Sequence, residues 1–274
     1  MLETWEAQRL EYMRLSGRTR PLVVECSRSH ASSIDEDTQA STDLKESNLF
    51  VVKAFGLSRE ITNFGLFSEV FGNQLARRLG IATPAPCLVH LGLSFVKAAN
   101  LVLKREGLAL KPGIASGCEY FRRGYSNVTS GALSSDELDQ ATRIYGFDLL
   151  VQNPDRTALR PNCATRSGRF KVYDFETAFS FVWSIAVQHS PWEVSKHGLG
   201  PRHLFHSELS RRQRLVDWKP FIESVAGITG DGIDEMIEGL PQDWLENASR
   251  VRAHLLEVAR NAHRLELELQ RSLI

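Results

Sequence analysis

The sequence predicts an α+β chain of two lobes, on three observations. Short runs of β-branched and apolar residues, with one or more helical patterns among them, fill the first half. The second half consists mainly of segments with apolar residues three and four apart, the period of a helix. Between them, residues 122–133 are polar and carry Gly124 and Gly131, as a connector does. Strands first and helices after is an α+β arrangement. The predicted boundaries are 1–19 for a leading helix, 20–121 for a strand-rich N-lobe, 122–133 for the connector and 134–274 for a helical C-lobe.

Each element has its own reason. Leu2, Trp5, Leu10, Met13 and Leu15 make a loose helical stripe that Gly17 closes. Pro21–Glu25 reads as a strand. Residues 27–47 are rich in Ser, Asp and Glu and read as a long loop. Asn48–Phe55 is a second strand, with Lys53 inside it. A lysine there fits either the solvent face of an edge strand or a phosphate-binding strand. Phe67, Val70, Phe71, Leu75 and Leu79 recur at helical spacing over 65–79, with Glu69 beside the stripe. Cys87–Leu91 is a third strand, 94–105 a helix, 111–117 a turn-rich stretch and Cys118–Phe121 a short strand. Ser134 with Glu137 forms a capping box, opening a helix that runs to Val151. Helices follow at 211–227 and 230–238, and one long polar helix spans about 241–272. Its apolar face serves either a dimer or the bracing of its own lobe.

Composition narrows the function. The 274 residues carry 33 basic and 33 acidic side chains, a formal net charge of zero. That balance argues against nucleic acid as a direct, non-specific ligand. Hydrophobic residues make up 42%, ordinary for a globular chain. No apolar run reaches the ~18 residues of a membrane span, and the amphipathic start lacks the pattern of a signal peptide. The expected location is the cytoplasm. Cys26, Cys87, Cys118 and Cys163 include no C-x-x-C pair and are expected to be reduced and buried. His189, His197, His203 and His206 lack H-E-x-x-H spacing, which leaves them structural rather than zinc ligands.

The chemistry concentrates in residues 147–179. An apolar helical run ends in the loop Asn153-Pro154-Asp155-Arg156. Asn162 follows, and a strand over Phe170–Tyr173 delivers Asp174. One carboxylate for an incoming hydroxyl, and an Asn and an Asp for magnesium, are the parts phosphoryl transfer needs.

These residues also carry a family resemblance. Val51-Val52-Lys53, Ser68-Glu69, Leu75 to Ile81 with Pro84, Pro112-Gly113, Ser116-Gly117 and Phe147-Asp148 occur in order. Asn153-Pro154-Asp155-Arg156, Pro161-Asn162 and Asp174-Phe175-Glu176 follow them. Over roughly residues 20–210 the chain resembles the HipA-like kinases, most closely the small kinase-domain members. The resemblance implies a two-lobed protein-kinase-like fold that binds ATP and Mg²⁺. Lys53, supported by Glu69, would bind the α- and β-phosphates, and Asp155 would orient or deprotonate the acceptor hydroxyl. Asn162 and Asp174 would hold the metal. The implied acceptor is Ser or Thr on a protein.

The chain departs from the usual kinase pattern in three places. Asn162 lies seven residues after Asp155 rather than five, Glu176 stands where protein kinases have Gly, and no glycine lies between Gly17 and Gly56. HipA phosphorylates a serine in its own loop, and Ser27, Ser29, Ser32, Ser33, Ser41 and Ser47 offer candidates here. Two rival readings stay open. One is a pseudokinase or nucleotide-binding interaction module, with a toxin–antitoxin or defence partner. The other is a phosphoinositide or small-molecule kinase.

Overall fold

A computed structural model describes residues 2–13, 19–28, 47–121, 124–129, 131–184 and 189–274. The chain divides into two compact units, Leu2–Thr62 with Ala85–Tyr120, and Asn63–Pro84 with Phe121–Ile274.

The first unit is a closed barrel. Its strands are β1 (Thr4–Met13), β2 (Leu22–Arg28) and β3 (Ser47–Lys53). The chain then leaves for α1 (Asn63–Arg78) in the other unit. It returns as β4 (Pro86–Leu91), α2 (Leu93–Leu103) and β5 (Gly113–Glu119). The strand order is β1-β2-β3-β5-β4. Every pairing is antiparallel except β1 with β4, where Thr4–Glu6 runs parallel to Leu88–His90. Trp5, Leu22, Val24, Phe50, Val52 and Ala115 are buried, and the Trp5 and Phe50 rings lie 4.8 Å apart.

Two expectations are corrected in this unit. Residues 4–13, expected within a helix over 1–19, form a strand. Their backbone groups pair with β2 and β4, and the buried Trp5 and Ala7 alternate with less buried neighbours. Tertiary pairing overrides a weak helical stripe. The turn-rich stretch at 111–117 supplies most of β5, which begins before the strand expected at 118–121. Gly117 serves packing there rather than a turn. A Cβ on it would lie 2.7 Å from Val89 Cγ2 and 2.9 Å from Cys87 Sγ. Residues 29–46, which include Ser29, Ser32, Ser33 and Ser41, lie outside the described residues. Ser27 lies in β2 and Ser47 opens β3.

The second unit holds α1, a three-stranded sheet and the remaining helices. Its sheet is β6 (Ser126–Asn127), β7 (Cys163–Arg166) and β8 (Arg169–Val172), in that order. The helices are α3 (Ser135–Leu150), α4 (His206–Arg211), α5 (Lys219–Ala226) and α6 (Gly230–Ile237), then α7 (Ala248–Arg260) and α8 (Ala262–Arg271). The capping box of α3 forms as expected: Ser134 N donates to Glu137 Oε2 at 2.9 Å, and Glu137 N to Ser134 Oγ at 3.3 Å.

Helix α1, expected in the strand-rich lobe, belongs to this second unit. It packs through Phe67 and Phe71, stacked at 5.0 Å, with Phe179 5.7 Å from Phe71. Gln74 and Arg78 also donate to the carbonyls of Met236 and Gly232. The long C-terminal helix is two helices with a break at Asn261, whose Nδ2 donates to Glu257 O at 2.9 Å. Val251, Leu255, Val258, Leu265 and Leu269 are fully buried, so this stripe braces its own unit.

Candidate active site

Helix α3 ends at Leu150, and the chain turns through Gln152, which has a φ of 49°. Asn153 then ties the loop down. Its Nδ2 donates to Asp148 Oδ1 at 2.9 Å, and its Oδ1 accepts from Thr177 Oγ1 at 2.9 Å. Asp155 N also points to that oxygen, at 3.3 Å. Asp155 therefore leaves a fixed turn with its carboxylate partly exposed. Asn162 comes back to it: Asn162 Nδ2 donates to the Asp155 carbonyl at 3.0 Å and lies 3.5 Å from its Oδ2. Asn162 has a φ of 40°, a left-handed conformation that asparagine tolerates better than most residues.

A buried ionic network lies behind this loop. Arg156, 1% exposed, sends Nε to Asp148 Oδ2 at 2.5 Å and Nη2 to Oδ1 at 3.4 Å. Its Nη1 donates to the carbonyls of Tyr173, at 3.2 Å, and of Asn162. One guanidinium thus holds the loop of Asn162 and the residue before Asp174 at once. His203 Nδ1 accepts from Phe205 N at 3.2 Å, so the ring proton sits on Nε2 and is donated to Asp148 Oδ2 at 3.0 Å. Burial alone would push the Asp148 carboxyl up, but Arg156 and His203 hold it below its usual range. Burial pushes His203 down despite the Asp148 bond, so the imidazole is neutral at neutral pH. A buried pair of this kind is strongly destabilised when one partner is removed.

Asp174 follows β8 with a φ of 67°. A carboxylate oxygen from each of Glu69, Asp174 and Glu176 lies within 4.8 Å of the other two. Glu69, buried on α1, also accepts from Phe175 N at 3.0 Å, which ties the helix to the segment 174–176. Gly72 leaves room for this approach, since a Cβ there would come within 3.0 Å of Phe175 Cβ. Two like charges at that separation repel by about 3 kcal/mol at an effective dielectric of 20. Three hard oxygen donors so placed fit a divalent cation such as Mg²⁺.

Lys53 ends β3, which is paired on both sides, by β2 and by β5. It is 7% exposed. The edge-strand explanation for this lysine is therefore removed.

A family model described as HipA-like kinase matches residues 42–272. The chain belongs to the HipA-like kinase family. The match begins at residue 42, later than the 20–210 carried by the motifs, and at its other end runs on to take in the C-terminal helices. The crystal structure of the Helicobacter pylori proinflammatory kinase CtkA is similar to it in fold. The TM-score is 0.52 at 11% identity, over 98% of this chain and 99% of that one. No curated protein matches the chain.

Within this HipA-like kinase, the structure brings Asp155 and Asn162 together and places Glu69 with Asp174. Lys53 lies in the barrel unit. Three contributors escape a reading of spacing alone. Glu176 reads only as a departure from the Gly of protein kinases. Asp148 is a charge inside the apolar run Phe147–Val151, a signal that a buried partner is needed. His203, 55 residues away in the chain, carries no local signal.

Proposed function

We propose that the chain is an ATP- and Mg²⁺-dependent kinase that transfers the γ-phosphoryl group to a hydroxyl, with Ser or Thr on a protein as the acceptor. The observation that carries this is the Arg156 clamp, one buried guanidinium fixing both the loop of Asp155 and Asn162 and the strand end that delivers Asp174. Phosphoryl transfer asks mainly for positioning and charge neutralisation, and that clamp is a positioning device.

Asp155 takes the acceptor's proton as its oxygen attacks phosphorus. Glu69, Asp174 and Glu176, with the side-chain carbonyl of Asn162, would hold the metal, which would supply positive charge to the phosphate oxygens. Glu69 orients the 174–176 segment through Phe175 N–H. Lys53 neutralises the α- and β-phosphates.

Nucleotide binding tests the reading. ATP with Mg²⁺ should raise the unfolding temperature of the wild type, since a ligand at 100 times its Kd adds about 2.7 kcal/mol of stability. Asp174→Asn should lose the Mg²⁺-dependent part of that rise. A wild type unmoved by saturating ATP and Mg²⁺ would favour a non-catalytic interaction module instead.

A further inference from the structure

The two residues by which Asn162 is late have a structural use. Thr157 N donates to Arg160 O at 2.9 Å, and Arg160 N donates back to Thr157 O at 3.1 Å. This reciprocal pair closes a tight turn with Ala158 and Leu159 at its tip, where Leu159 is 95% exposed. Thr157 is itself anchored by an antiparallel bridge to His203, and Leu204 N donates to Arg156 O at 3.0 Å. The turn is thus built on the buried network, and it aims Arg160 back along the loop. Arg160 Nη1 reaches Asp155 Oδ1 at 3.0 Å, with about half of the Arg160 side chain exposed. The longer loop still returns Asn162 to Asp155.

The geometry points to Arg160 as a further catalytic residue, a cation that takes up the charge of the transferring phosphoryl group. This rests on the kinase reading above. A carboxylate offers about four lone-pair sites, so Asp155 can hold Arg160 and an incoming hydroxyl together. The hydroxyl oxygen bonds to the γ-phosphorus, and its proton passes to Asp155. The bond from phosphorus to the β–γ bridging oxygen breaks, and that electron pair leaves with ADP. The attacked phosphoryl group thus meets an oxygen that Asp155 holds, and Asp155 also holds Arg160. A guanidinium has five N–H groups in a fixed fork that matches phosphate oxygens. Nη1 is on Asp155, and about half of the side chain is exposed, so the rest of the fork would be offered to the phosphoryl oxygens.

Arg160→Ala and Arg160→Lys test this by steady-state kinetics, with wild type and Asp155→Ala as references. The expected result is a fall in kcat of about 100-fold or more for Arg160→Ala, with the KM for ATP within about threefold. Arg160→Lys should recover part of the loss. The unfolding temperature should stay put, because an exposed ion pair adds little stability. An Arg160→Ala enzyme as fast as wild type makes Arg160 a surface ion pair and overturns the inference. A faster one makes it a restraint on Asp155 and overturns it too. A wild type that transfers no phosphate removes the kinase reading itself, and the inference with it.

Discussion

Single residues here do two kinds of work, and their burial separates them. Asp155, Arg160 and Asn162 keep some exposure, whereas Asp148, Arg156 and His203 are sealed behind them. Asp155 and Asn162 are legible in the sequence because turn chemistry at Asn153-Pro154-Asp155 and the later Asn162 are local patterns, whereas Arg160 shows its partner only in the folded loop. The sealed group is legible only in part. Asp148 and Arg156 are eight residues apart and sit in the motif block, but nothing in the spacing shows that Arg156 turns inward to two carbonyls. Buried histidines also give the protein an acid sensitivity. Burial pushes His254 down to about 4 against its bond to Leu150 O, from an unfolded value near 6.5. Below pH ~6.5 the unfolded chain takes a proton that the native state refuses. Stability is therefore full above ~6.5 and falls toward pH 4, by up to about 3 kcal/mol from this group. His203 shifts with the same sign. Urea unfolding across pH 7 to 4.5 should show the fall, and His254→Gln should flatten it by about one proton. An unchanged slope in that variant would assign the sensitivity elsewhere.

Elements differ in how far their local sequence declares them, for physical reasons. Helices α1 and α3 match their patterns because strong stripes and a capping box are local. The first strand carries a helix-like stripe yet forms a strand, because its identity depends on pairing with β2 and β4, which no local pattern encodes. Strand β5 is only partly visible in the sequence because its glycines look like turn residues. Gly117 is there for the close approach of β4, so the defect it would cause elsewhere is an advantage in the barrel. Gly117→Ala should therefore destabilise the protein by about 1–3 kcal/mol through overpacking, although alanine suits a strand at least as well as glycine. Denaturant midpoints check this, and a variant as stable as wild type would show that Val89 and Cys87 can move aside.

Across the whole molecule, the site joins residues remote in sequence. Glu69 and Phe175, hydrogen-bonded, are 106 positions apart. The chain's family membership and its likeness in fold to a kinase agree with the proposed roles of the carboxylate cluster as metal ligands and of the Asp155 loop in placing a hydroxyl. Each unit has its own core, the barrel around Trp5, Val24 and Val52, the helical unit around Phe71, Phe147 and Phe175. On the proposed mechanism, Asp155 serves the acceptor while Asp174 serves the metal. Transfer of γ-phosphate from labelled ATP, to the protein itself and to a general protein acceptor, measures it most directly. Wild type with Mg²⁺ should transfer label, and both Asp155→Ala and Asp174→Asn should lose about 100-fold or more, with Asp155→Ala still stabilised by ATP and Mg²⁺. Asp155→Ala transferring as fast as wild type would contradict the account.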